Sequence, residues 1–217
     1  MSAESGIKTF RDAGGLWEGH DVMEVASPEG FRNNPKLVLE FYNQRRRQLK
    51  EVEPNQGHKN LVKLEEQFEV HIVTQNVDDL HERAGSTNIV HLHGQLRQVR
   101  SIDNYDEVYD WTEDLVLGDT TKSGSQLRPH IVWFGEAVPM IEKAAELVEQ
   151  ADILVIIGTS MQVYPAAGLV DFAKPDAPIY FIDPKPNFNP NYYDNAITII
   201  EKGASAGTAE LLRKLID

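Results

Sequence analysis

Three short apolar runs in the last third of the chain constrain the fold more than any other feature. Ile153-Leu154-Val155-Ile156-Ile157 is continuously apolar, the pattern of a strand covered on both faces. Ile179-Tyr180-Phe181-Ile182 and the run from Ala196 to Ile200 repeat the theme. Between them lie segments with helical character: an amphipathic stretch from Met140 to Gln150, a helix start near Pro165 and a last helix from about Thr208. Strands alternating with helices predict a parallel α/β sheet.

An open parallel sheet binds its ligands just beyond the carboxyl ends of its strands. Polar residues at those ends are therefore the first candidates for chemistry. The stretch Val70 to His81 begins as a strand and breaks into Thr74-Gln75-Asn76-Val77-Asp78-Asp79. Asn76 or Asp78 could equally be the N-cap of a following helix. Ile157 runs into Gly158-Thr159-Ser160, where a glycine admits a ligand to the backbone and two hydroxyls offer donors. Asp183 ends the next strand, where dinucleotide-binding folds place an acid on ribose hydroxyls, although no full G-x-G-x-x-G accompanies it. A further short strand, Asn88 to Leu92, leads into His91-Leu92-His93-Gly94. Two histidines two apart would share a strand face and could pair on a metal. No third ligand accompanies them, so His93, next to the glycine that ends the strand, reads instead as a residue projecting into a cleft.

The chain has 217 residues, 41% of them hydrophobic, and a formal net charge of −13. Such acidity works against binding nucleic acid or anionic membranes. There is no cysteine, which excludes disulfides, thiolate metal sites and cysteine nucleophiles. No apolar run is long enough to span a bilayer, and a cytoplasmic location is the expectation. From Pro35 to about Val52 the spacing predicts a helix with Val38, Phe41, Tyr42 and Leu49 on one stripe. Arg45 falls on that stripe as well. A guanidinium there must meet an anion or snorkel to the edge. A second short helix is expected near His58 to Phe68. Gln95 to Gln126 reads as an irregular module, followed by a short strand, Ile131 to Phe134, ended by Gly135-Glu136. Near the start, Gly14 and Gly15 favour a loop, with Phe10 and Trp17 as either lid or core anchors.

Several of these segments together resemble the sirtuins, NAD-dependent protein-lysine deacylases. The matching pieces are Ser2-Ala3-Glu4-Ser5-Gly6-Ile7, Phe10-Arg11, Thr74-Gln75-Asn76-Val77-Asp78 with Leu80-His81, His93-Gly94, Trp133-Phe134-Gly135-Glu136, Gly158-Thr159-Ser160 and Gly203-Ala204-Ser205. They stand in the family's order along nearly the whole chain. Tyr42 and Arg45 resemble the Tyr-x-x-Arg pair of the subgroup that removes acidic acyl groups such as succinyl and malonyl. Two departures stand out. Where the first pair of zinc cysteines would fall, the chain reads Ser101-Ile102-Asp103-Asn104, so no zinc is expected. The family also opens with an apolar strand ending in Gly-Ala-Gly just before a residue such as Met1. The resemblance thus implies a sequence truncated from a longer protein, with that first, central strand and its loop lying upstream.

The implied fold is a Rossmann-like doubly wound parallel sheet with a smaller module, one sirtuin-type domain over 1–217. Its NAD-binding part would comprise 1–30, 69–94 and 130–217, and the small module 31–68 and 95–129. The implied reaction couples acyl-lysine removal to NAD cleavage, giving nicotinamide and 2'-O-acyl-ADP-ribose. By resemblance His93 is the general base, Asn76 positions the ribose or a water and Asp78 holds the carboxamide. Gln75, Val77, Ala3, Phe10, Arg11, Gly158, Thr159, Ser160, Asp183 and Ala204 complete the cofactor site. Tyr42 and Arg45 would take the acyl carboxylate, and Val132, Phe134, Gly135 and Glu136 the substrate backbone as an added strand. A non-catalytic NAD- or ADP-ribose-binding module, and an ADP-ribosyltransferase or NAD hydrolase, are the alternatives.

Overall fold

The structure, a computed structural model, describes all residues except 8–15, 18 and 217, with Leu16 and Trp17 described in backbone only. Phe10 and Arg11 therefore lie outside the described residues. A 3-10 turn at Ser2–Ser5 opens the chain. A small hairpin follows, β1 (Leu16–Trp17) with β2 (His20–Asp21), and then helices α1 (Val22–Val25), α2 (Pro28–Asn33), α3 (Pro35–Gln48) and α4 (Gln56–Leu64). Strand β3 (Ile72–Thr74), helix α5 (Leu80–Ala84) and strand β4 (Ile89–His91) form a parallel β-α-β unit. Next come β5 (Gly94–Ser101), β6 (Val108–Asp110) and β7 (Leu127–Ile131). The final third runs α6 (Ile141–Gln150), β8 (Leu154–Ile157), a 3-10 helix at Ala166–Phe172, β9 (Ile179–Ile182), β10 (Ile197–Ile200) and α7 (Ala204–Ile216).

The expected parallel α/β architecture is present. Strands β10, β9 and β8 pair in parallel in that order, and β3 pairs in parallel with β4. Side chains on β3 alternate between two apolar clusters, as successive strand residues must. Ile72 packs with Leu61, Leu64 and Leu211 from α4 and α7, together with Val155 and Ile157 of β8. Its neighbour Val73 packs with Leu92, Ala144 and Ala166 on the side of α6 and the 3-10 helix. Helices thus cover both faces. β8 is only half-buried along its length, against the expectation of full cover. Its one pairing among the described residues is to β9, so it stands at a sheet margin and receives less cover than Ile179, Phe181 and Ile182 of the middle strand.

The segment from Gln95 to Gln126 is more regular than its composition suggests. Strand β5 is eight residues long and is flanked antiparallel by β6 and β7. Its core is Val99, Leu115 and Leu127 against Leu39 of α3. Its polar residues Gln95, Arg97 and Gln98 are half-buried and Arg100 and Ser101 are buried, so the strand lacks the apolar run that would announce it in the sequence. The sequence also misplaces the next strand, because β7 ends at Ile131 and the apolar Val132, Trp133 and Phe134 form the turn beyond it. Burial of Trp133, not strand pairing, explains that apolar run. The last helix starts four residues before the expected Thr208, at Ala204, and α3 stops at Gln48. Helix α4, grouped above with the small module, packs against α7, with Asn60 donating to the Ser205 carbonyl and to Thr208 Oγ1.

Candidate active site

The carboxyl ends of β3 and β8, strands of two separate parallel sheets, come together. Gln75 follows β3, Thr159 follows β8, and the Gln75 amide donates to Thr159 Oγ1 at 3.4 Å. Beside them lies the opening turn. Asn76 Nδ2 donates to Ser2 Oγ at 2.8 Å, and the Ser2 hydroxyl hydrogen-bonds to Asp78. Burial pushes the Asp78 carboxyl above its ordinary range, while Ser2 and the Leu80 N–H pull it back. Asp78 thus closes an Asx turn and enters the polar cluster at the same time.

His93 arrives from the turn after β4. Its Nδ1 lies 3.2 Å from the Gln75 carbonyl oxygen. A carbonyl only accepts, so Nδ1 carries the hydrogen and Nε2 keeps its lone pair. Burial pulls the imidazole pKa below its ordinary value, which favours this neutral form. Gly94 directly follows with φ +79, and a Cβ there would run into the His130 carbonyl on β7. The glycine is required for β5 to start where it does, and this fixes His93. His91 does not share a strand face with His93, since β4 ends at His91. Its ring bonds to Glu82 Oε1 at 2.6 Å and to the Asn76 carbonyl, which spends both nitrogens. His81 is buried on α5, edge to face with His58, and takes a structural place.

On the β8 side, Gly158 has φ +62, and a Cβ would come within 2.8 Å of the Met1 nitrogen. Backbone alone fits there. Ser160 is half-buried beside it, and Ala3 is exposed on the opening turn. Asp183 is buried, its Oδ1 accepting from the Lys185 N–H at 2.9 Å. The carboxylate is folded into its own turn. Ala204 is buried as the first residue of α7, and Glu4 Oε2 accepts from the Ser205 N–H at that helix end. Val77 packs toward the apolar cluster of α3, and its carbonyl accepts from Leu96 N–H.

Helix α3 carries the second group of candidates. Tyr42 is fully buried and accepts a hydrogen bond from the Trp133 indole at 2.9 Å. Arg45 is 7% exposed, stacks its guanidinium 3.2 Å from the centre of the Phe41 ring and donates to the Phe41 carbonyl. Val132 and Phe134 use their N–H groups on His93 and Ala26 carbonyls, and the Phe134 ring and Gly135 are exposed. Glu136 was expected in the segment that pairs with the substrate backbone, and its side chain is engaged within the chain. Its carboxylate takes two hydrogen bonds from Arg128 (2.6 and 3.0 Å), two longer ones from Arg100, and the Trp133 N–H. Two buried guanidinium groups require such a counter-ion, and they hold the Glu136 carboxyl below its ordinary value against the effect of burial.

The Sir2 family model matches residues 1–165, most of the chain. The chain belongs to the Sir2 family. Among the relatives of this sirtuin, an NAD-dependent protein deacylase of Helicobacter pylori is 60% identical over 217 residues, covering 100% of this chain and 94% of the relative. One from Bacteroides thetaiotaomicron is 54% identical over 222 residues, with 100% and 94% coverage. Among solved structures, a mutant Sir2 homologue in complex with ADP ribose superposes with TM-score 0.87 at 36% identity, covering 98% of this chain and 86% of that one. A Sir2 homologue complexed with NAD gives 0.86 at 37% identity, covering 98% and 84%.

Several residues around the candidate site were not singled out by sequence reasoning. Ser2 links Asn76 to Asp78, Trp133 holds Tyr42, and Arg128 with Arg100 fixes the turn that carries Trp133. Ser2 lies within a quoted motif, so its position was visible but its contact was not. The arginines sit on β5 and β7, where only the three-dimensional register brings them to one carboxylate.

Proposed function

We propose that this sirtuin removes acyl groups from lysine side chains of proteins with NAD as cofactor, and that it favours acyl chains ending in a carboxylate. The observation that carries the reading is His93, held by the Gln75 carbonyl as a neutral imidazole whose Nε2 has no partner among the described residues, while Gln75 in turn meets Thr159 and Asn76 meets Ser2. The residues fit a dinucleotide. Amides and hydroxyls converge beyond the carboxyl ends of β3 and β8, where Gln75 meets Thr159 and Asn76 meets Ser2. Bound NAD supplies a ribose–nicotinamide bond whose cleavage drives acyl transfer, giving nicotinamide and 2'-O-acyl-ADP-ribose. His93 takes a proton at Nε2 as general base. Asn76 and Asp78 orient the reacting groups, Ser2 keeping the two side chains together. Gln75, Val77, Ala3, Gly158, Thr159, Ser160, Asp183 and Ala204 line the cofactor, joined by Phe10 and Arg11 as the shield and the phosphate contact. Tyr42 and Arg45 receive the acyl carboxylate, the guanidinium suiting a planar anion. The turn from Val132 to Glu136 lies along the substrate backbone, with the Glu136 side chain reserved for Arg128.

In this reading 1–30, 69–94 and 130–217 form the NAD-binding part, 31–68 and 95–129 the smaller module, and the protein works in the cytoplasm. The test is incubation with NAD and acetyl- or succinyl-lysine peptides, following nicotinamide and deacylated peptide together. Both products should appear in step, and His93→Ala should reduce turnover about 100-fold or more, the loss typical for a general base. Nicotinamide release that ignores the acyl peptide would overturn the reading. The acyl preference is tested apart from it. Arg45→Met should lower the succinyl-to-acetyl ratio of kcat/KM, and an unchanged ratio would remove that part alone.

A further inference from the structure

We infer that Trp133 is a specificity-determining positioning residue, its indole N–H fixing the Tyr42 hydroxyl as a hydrogen-bond donor toward the acyl group. The inference rests on the acyl-carboxylate reading above and adds to it a residue outside the Tyr42–Arg45 pair.

Trp133 Nε1 lies 2.9 Å from the Tyr42 hydroxyl oxygen, and both rings are buried. Indole nitrogen carries one hydrogen and no accessible lone pair, so it only donates. The Tyr42 oxygen must therefore accept this bond. Whatever else the phenol touches, its own hydrogen cannot point along the line to Trp133. A hydroxyl left alone is ambivalent and suits a donor or an acceptor on a ligand. Held by an indole, it is biased to donate. Arg45, three residues along α3, can only donate as well. A pair of donors suits an acceptor such as a carboxylate and rejects an acyl end that presents donors.

The indole is itself held firmly. The Arg128 guanidinium lies 3.3 Å from the centre of the Trp133 ring, and Phe31 packs against it at 5.3 Å between centroids. The Trp133 backbone N–H donates to Glu136, which is locked by Arg128 and Arg100. The turn Trp133–Glu136 and helix α3 are thereby joined at the Tyr42 oxygen. Burial also raises the Tyr42 pKa, so the phenol keeps the hydrogen it is to donate.

The experiment compares kcat and KM for succinyl- and acetyl-lysine peptides in a double-mutant cycle of Trp133→Phe and Tyr42→Phe. Trp133→Phe should lower the succinyl-to-acetyl ratio of kcat/KM about tenfold, the size of one hydrogen bond to a charged group. The change should appear in KM for the succinyl peptide, since it concerns binding of a group remote from the reacting bond. In the Tyr42→Phe background, Trp133→Phe should leave the ratio where Tyr42→Phe put it. Should Trp133→Phe fail to fold, benzothienylalanine at position 133 keeps the ring shape and deletes only the N–H. Fluorotryptophan there keeps the N–H and should restore the original ratio. A ratio that Tyr42→Phe moves but loss of the indole N–H does not would overturn the inference and leave the acyl reading intact. Equal falls in both backgrounds would also overturn it, showing that Trp133 acts through packing. A ratio unmoved by Tyr42→Phe and Arg45→Met would remove the acyl reading and the inference together.

Discussion

Single atoms decide much of this site. Gly158 combines φ +62 with the Met1 nitrogen at 2.8 Å from any added Cβ. Gly158→Ala should therefore cost about 1–3 kcal/mol of stability through backbone strain. It should also weaken NAD binding, both effects checked by thermal melting and by NAD titration. Ser2 is a second case. Its hydroxyl lowers the pKa of a buried Asp78 that desolvation raises. Ser2→Ala removes the lowering contact, so the carboxylate protonates at higher pH. If ionised Asp78 supports turnover, the acid limb of the kcat/KM–pH profile should move to higher pH. An unmoved limb would detach Asp78 from catalysis. Gln75, Asn76, Asp78 and His93 stood out as candidates because polar residues crowd a predicted strand end and a histidine precedes the glycine that ends another. The tautomer of His93 was not legible, since it depends on a backbone carbonyl eighteen positions away.

At the scale of elements, helix α3 ties the smaller sheet to the rest of the chain. Asn43 donates to the Leu115 carbonyl at 3.0 Å and accepts from the Leu115 N–H at 2.9 Å. Arg46 is 1% exposed and donates to the Leu96 carbonyl on β5. Asn43→Ala would leave both Leu115 groups buried without these bonds and should destabilise the protein by about 2–4 kcal/mol, read by denaturant titration. Near the site where zinc cysteines would stand, hydroxyls and a carboxylate form a network. Ser101 Oγ bonds Ser125 Oγ at 2.8 Å, Ser125 Oγ donates to Asp103 at 2.6 Å, and Ser101 accepts from the Asp103 and Asn104 N–H groups. Ser125→Ala should cost about 1–2 kcal/mol, whereas a metal chelator should leave the melting temperature of the unmodified protein unchanged. The sequence announced the missing cysteines. It did not announce β5 or this network, because serines and acids in a row look like any exposed loop until β5 and the turn at Ser125 come together.

Across the whole molecule the clearest response should be to acid. His58 and His81 are buried edge to face, with ring centroids 4.8 Å apart, between α4 and α5. Desolvation lowers their pKa values to about 3 and about 4. His130 is also lowered to about 4, by burial and then by Arg100 and Arg128. In the unfolded chain each would titrate near 6.5. Below that pH the unfolded state binds more protons than the folded one, so stability falls as pH falls. Each histidine contributes a slope of about 1.4 kcal/mol per pH unit until its folded pKa is reached. Melting temperature should therefore decline from about pH 6.5 downward, and His58→Gln with His81→Gln should flatten that decline. An unchanged slope in the double variant would place the acid sensitivity elsewhere.

The sequence alone determined the parallel α/β class, the strand ends where chemistry belongs and the odd Arg45 on an apolar stripe. These follow from periodicity and charge, which are local properties of a chain. Only the tertiary structure decided that Gln75 reaches Thr159, that Ser2 joins Asn76 to Asp78, and that Arg100 and Arg128 converge on Glu136. It also decided that Trp133, which reads as one more strand residue, turns inward to meet Tyr42 from ninety-one positions away. Those contacts depend on strand register and helix docking, and neither leaves a periodic trace in the order of residues.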